Sequence, residues 1–106
     1  MKRKNLGSTR LLGVLTPQAN TIVEPELWTL LPEGWSMINA RLTSKKSTME
    51  ARLIEYTHKI SEAVEQFANA PLDAIAFACT GSSYLIGSQK ESRLIKNFET
   101  KKGIPI

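Results

Sequence analysis

The sequence predicts an α/β fold, a parallel sheet flanked by helices, from three observations. Short apolar runs at 11–15, 35–42 and 72–78 alternate with segments of helical period. The longest of those segments, 48–69, carries one apolar stripe. The run at 72–78 then stops at Cys79-Thr80-Gly81-Ser82-Ser83, a small polar turn. An α/β protein presents its chemistry at the carboxyl end of a strand in this way.

Residues 11–15 are continuously apolar, which suits a strand buried on both faces. Residues 16–21 form the loop after it. A helix is expected to begin near Glu24 and Pro25, because proline fits a first turn and acidic groups favour a helix N-terminus. Leu27, Leu30 and Leu31 are its expected buried face, and Pro32-Glu33-Gly34 ends it. The second strand covers 35–42, with Trp35, Met37 and Asn39 on one face and Ser36, Ile38 and Ala40 on the other.

After a basic loop at 43–47, one continuous helix is expected from Thr48 to about Asn69. Met49, Leu53, Tyr56, Ile60, Ala63, Val64 and Phe67 recur at three- and four-residue steps along it. His58 falls on this helix, away from any strand end, and reads as a surface side chain. Residues 84–86 continue a short helix or turn past the polar turn. Ser88 followed by Glu91 has capping-box spacing, so a last helix is expected from 89 to about 102, with Leu94, Ile95 and Phe98 on its apolar face. Gly103 stands where a C-terminal cap belongs, and Ile104-Pro105-Ile106 begins another strand.

The 106 residues bound the reading to one small domain. A 42% hydrophobic and 23% charged composition excludes general disorder. The net charge of +4 lies in scattered clusters such as Lys2-Arg3-Lys4, with no aromatic interleaving, so no nucleic-acid partner is expected. No segment approaches the roughly 20 apolar residues of a membrane span, and no convincing signal peptide opens the chain. A lone cysteine excludes an internal disulfide and suits a reducing, cytoplasmic setting.

That cysteine sits where a site belongs. In the doubly wound, flavodoxin-like or Rossmann-like order, strand one lies between strands two and three, and the loops after strands one and three flank the ligand crevice. Asn20 would then face Cys79 across a cleft and offer its amide to a carboxylate. Gly81 admits a close backbone approach, Thr80, Ser82 and Ser83 supply hydroxyls, and a helix start there would favour a thiolate and an accessible Cys79. The competing reading is that Cys79 is a small buried hydrophobe ending a core strand.

Two motifs carry a family resemblance. Gly13-Val14-Leu15-Thr16-Pro17-Gln18-Ala19-Asn20-Thr21 with Glu24-Pro25-Glu26, and Phe77-Ala78-Cys79-Thr80-Gly81-Ser82-Ser83-Tyr84, resemble the maleate cis–trans isomerase and arylmalonate decarboxylase branch of the aspartate/glutamate racemase superfamily. The resemblance implies cofactor-independent chemistry on a small carboxylate substrate, between two pseudo-symmetric α/β halves that each donate a cysteine or its replacement. It implies that Cys79 is the first catalytic cysteine, that Asn20 binds substrate, and that Thr80, Gly81, Ser82 and Ser83 form the carboxylate loop, with no metal. Glycine characterises the decarboxylases at the Cys79 position, so isomerase or racemase is favoured over an arylmalonate decarboxylase. The expected domain is 1–106, a single incomplete N-terminal half, apparently truncated. It is expected to form a homo-oligomer or to need the absent C-terminal half; a non-catalytic α/β fragment is the alternative.

Overall fold

The computed structural model describes residues 10–79, together with 93, 96, 97, 99, 100 and 103–106. The expected turn at 80–83, the helix or turn at 84–86, the capping box at 88–91 and the apolar positions Leu94, Ile95 and Phe98 lie outside the described residues.

Among the described residues three parallel strands form an open sheet in the order β2-β1-β3. β1 is Arg10–Pro17, β2 is Trp35–Leu42 and β3 is Ala74–Phe77. The central position of β1 explains its apolar run. Val14, Leu15 and Thr16 are all fully buried, as a strand covered on both faces and flanked on both edges must be. Its register runs Arg10 against Trp35 through Pro17 against Leu42, and Leu12 against Ala74 through Leu15 against Phe77. Asp73 pins the second pairing. Its N–H donates to the Leu11 carbonyl at 2.8 Å, and its carboxylate accepts from the Leu11 N–H at 2.7 Å. One further bond, from the Ala78 N–H to the Leu15 carbonyl at 2.9 Å, carries the ladder past the end of β3.

The main buried cluster lies on one face of this sheet, opposite Val14 and Thr16. Leu15, Ala40, Leu42, Ile75 and Cys79 pack there with Tyr56, Ile60, Ala63, Val64 and Phe67 from the segment between β2 and β3. That segment is not the continuous helix its stripe predicts. It comprises α2 (Met49–His58), α3 (Ile60–Val64) and a 3₁₀ turn at Glu65–Phe67. Thr48, where the helix is expected to begin, caps α2, its hydroxyl accepting from the Ala51 N–H at 3.2 Å. The break falls at Lys59 (φ −99°, ψ 9°). Just before it, the buried Thr57 hydroxyl donates back to the Leu53 carbonyl at 3.4 Å, an interaction that bends helices. The apolar stripe continues across the bend, so period alone could not reveal the break. Met49, at the start of that stripe, is 69% exposed. His58 is exposed at the last position of α2.

Across the bend, Lys59 bonds the Glu55 carboxylate at 2.9 Å. The hydrogen bond holds the Glu55 carboxyl below its ordinary range and raises the Lys59 ammonium above its own.

α1 (Val23–Leu30) begins with Glu24, Pro25 and Glu26 in its first turn, as predicted. Its buried face is not the expected one. No residue of α1 is fully buried and Leu30 is 75% exposed. Glu24 turns inward to pair with Arg41 of β2, so the inward stripe runs Glu24, Leu27, Leu31 and leaves Leu30 beside it.

At the carboxyl terminus, residues 93, 96, 97, 99 and 100 are helical. Gly103 takes φ +72° and donates its N–H to the Glu99 carbonyl at 2.7 Å, the cap that glycine permits. The Pro105 carbonyl then accepts from the Ile75 N–H at 2.9 Å, and Ile104 and Ile106 pack against the core. No helix among the described residues is long and apolar enough to cross a membrane.

Candidate functional site

Parallel pairing places the carboxyl ends of β1 and β3 at the same end of the sheet. The loop carrying Asn20 and the position of Cys79 therefore share that end.

The loop after β1 is held by side chains rather than by repetitive structure. The Asn20 N–H donates to the Pro17 carbonyl at 3.1 Å, closing a tight turn. Asn20 Oδ1 accepts from the Ile22 and Val23 N–H groups at 2.8 and 3.0 Å, which caps the start of α1. Arg41, at the end of β2, grips the same loop. Its Nη1 donates to the carbonyls of Pro17 at 3.1 Å and Asn20 at 2.6 Å, while Nη2 bonds the Glu24 carboxylate. The Gln18 side-chain oxygen accepts from the Ser44 N–H at 2.7 Å. Beneath the loop, the Thr16 hydroxyl donates to Asn39 Oδ1. Asn39 Nδ2 and Glu24 Oε1 are buried without a hydrogen-bond partner among the described residues.

Cys79 lies two residues past β3 and is 6% exposed, a member of the buried cluster. The expectation of an accessible thiol is corrected here. Alternation along β3 sends Ile75, Phe77 and Cys79 to the face that α2 and α3 cover, so the cysteine continues the core before the chain turns. Of the other expected site residues, Asn20 stands at the shared sheet end, whereas Thr80, Gly81, Ser82 and Ser83 lie outside the described residues.

A cleft of ≈ 240 Å³ opens between the β1 loop and α2, lined among others by Pro17, Asn20, Met49, Arg52, Leu53 and Tyr56. Arg52 is the charged residue of the cleft lining that the sequence reading missed. It sits one turn into a helix whose polar faces look solvated. The available signal was Thr48: a cap after β2 puts the first turn of α2 at the carboxyl end of the sheet, beside the β1 loop. Among the described residues no group of three or more His, Cys, Asp or Glu side chains gathers to hold a metal ion.

The maleate isomerase Iso from Pseudomonas putida S16 superimposes on this architecture with a TM-score of 0.69. The chain shares the fold of a maleate isomerase. The alignment covers 92% of this chain and 44% of the isomerase, with 19% identity. At that identity the likeness is one of fold, and the chain spans less than half the length of the isomerase. No family model matches the sequence, and no curated protein matches it.

Proposed function

We propose that the chain is the N-terminal half of a cofactor-independent isomerase or racemase for small dicarboxylic acids, of maleate cis–trans isomerase type, with Cys79 as its nucleophile. The observation that carries this reading is the shared sheet end. The Asn20 loop follows β1, Cys79 follows β3, and the two strands are parallel neighbours within a maleate isomerase fold. The described parts of both motifs that follow a strand, the loop to Asn20 and Cys79, support the reading by sharing that end.

In this reading the thiolate of Cys79 adds to one alkene carbon of maleate. A C–S bond forms as the π pair moves onto the adjacent carboxylate. Rotation about the resulting carbon–carbon single bond follows. The pair then returns, the C–S bond breaks, and fumarate leaves with the thiolate regenerated. No proton is gained or lost overall. Asn20 holds one carboxylate, and groups on the opposite face of the substrate come from a second half bearing its own cysteine.

The burial of Cys79 supports a second reading, in which the chain is a non-catalytic α/β module whose cysteine only packs. Labelling with a halogenated maleate separates the two. A catalytic Cys79 is alkylated in the folded chain, and added maleate slows the reaction while leaving iodoacetamide labelling of the unfolded chain unchanged. Labelling that requires unfolding and ignores maleate returns Cys79 to the core. The isolated chain is expected to leave maleate unchanged. With a second half restored, turnover is expected, and Cys79→Ser abolishes it.

A further inference from the structure

We propose that Arg52 binds one carboxylate of a small dianionic acid in the cleft between the β1 loop and α2, with the Asn20 amide beside it. This deepens the function proposed above and rests on the same sheet end being the substrate site.

The first support is charge. Among the described residues that line the cleft, Arg52 is the cationic side chain and none is acidic. Among the described residues Arg52 has no carboxylate partner, unlike Arg10 and Arg41, which pair with Asp73 and Glu24. Its Nη1 donates to the carbonyls of Lys46 at 3.2 Å and Ser47 at 3.4 Å. Those bonds pin the guanidinium without neutralising it. A planar fork retains further N–H donors, which suit a carboxylate bound through two parallel hydrogen bonds.

The second support is the neighbouring donor. Asn20 Oδ1 is committed to the start of α1, so the amide can offer a ligand only its Nδ2 donors. Arg52 and Asn20 thus line one cleft with donors only, and the matching ligand group is an anionic acceptor. The third support is size and lining. At ≈ 240 Å³ the cleft is below the roughly 300–1,000 Å³ of sites for drug-sized ligands. Met49, Leu53 and Tyr56 give it an apolar wall for a short carbon skeleton. Tyr56 also belongs to the buried cluster that contains Cys79, so the cleft wall and the cysteine share one packing unit.

The test measures binding and not turnover, using the full 106-residue chain carrying Cys79→Ser and maleate as probe, followed by amide chemical shifts. Saturable shifts are expected in the β1 loop and the first turn of α2, with none on adding the neutral diamide of maleic acid. Arg52→Gln is expected to weaken binding at least tenfold, and Arg52→Lys less, because the charge survives without the fork. An unchanged thermal midpoint for both variants shows that the fold is intact. Binding of Arg52→Gln within about twofold of the parent overturns the proposal, as does the absence of saturable binding by the parent. Maleate protection of Cys79 without dependence on Arg52 sinks this inference alone. Arg52-dependent binding without halomaleate labelling sinks the catalytic reading alone.

Discussion

Ala68 occupies a backbone conformation that its side chain opposes. With φ 51° and ψ −121° it stands at the second position of the turn closed by the Ala70 N–H donating to the Phe67 carbonyl at 3.0 Å. Those angles are those of a type II′ turn, where glycine is the favoured residue. An alanine held there costs ~1–3 kcal/mol of strain, against the ~0.5–1 kcal/mol of chain entropy that glycine loses on folding. Ala68→Gly is therefore expected to stabilise the chain by about 1 kcal/mol, read as a raised urea midpoint at unchanged slope. An unchanged or lowered midpoint would show that the turn is not under strain. The same turn begins at Phe67, a buried member of the core cluster, and leads the chain out of the helical segment.

At the scale of elements, the close contact is between β1 and the segment after α3. A Cβ on Gly13 would lie 3.0 Å from both Phe67 Cε2 and Leu72 Cδ1. Phe67 is 6% exposed and is followed at once by the tight turn, so it has little room to retreat. Gly13→Val is expected to cost ~2 kcal/mol by overpacking, and a loss below about 0.5 kcal/mol would show that Phe67 and Leu72 yield freely. Gly13 opens the first resemblance motif, yet its role in this structure is packing against the helical layer. Strands were legible wherever composition alone decided them: β2 matches its expected 35–42 span, and the apolar run of β1 marks the sheet centre. The bend at Lys59 was not, because the stripe from Tyr56 to Phe67 keeps its period across it while Thr57 bends the backbone from within. The rotation of α1 was hidden too, since it depends on Glu24 finding Arg41 seventeen residues later. The place of Asn20 after β1, at the carboxyl end of the sheet, was legible from its motif. The Asn20 Oδ1 bonds to the start of α1 are local, whereas the placing of Arg52 arises only when the β1 loop and α2 meet.

The whole molecule depends on how its sheet edges are managed. Among the described residues β2 is the outer strand on one side, while the outer side of β3 meets the segment 104–106. That segment forms no assigned strand, but it does what an edge cover must. The Pro105 carbonyl takes the Ile75 N–H, and Ile104 and Ile106 pack against the core from either side of it. Ile75 is 2% exposed, so its amide has no ready route to water once the segment is seated, and a buried unpaired N–H costs about 1–3 kcal/mol. The apolar contacts of the two isoleucines therefore hold the hydrogen bond in place. Replacing both, Ile104→Ala with Ile106→Ala, removes the anchors without shortening the backbone. The Ile75 amide is then expected to exchange with solvent at least tenfold faster, while the Leu15 amide, in the central strand, keeps its protection. Equal acceleration at both amides would mean that the chain has lost global stability and not its edge cover. Unchanged exchange at Ile75 would mean that the bond to Pro105 stands without the isoleucines, and the edge of β3 would need another explanation.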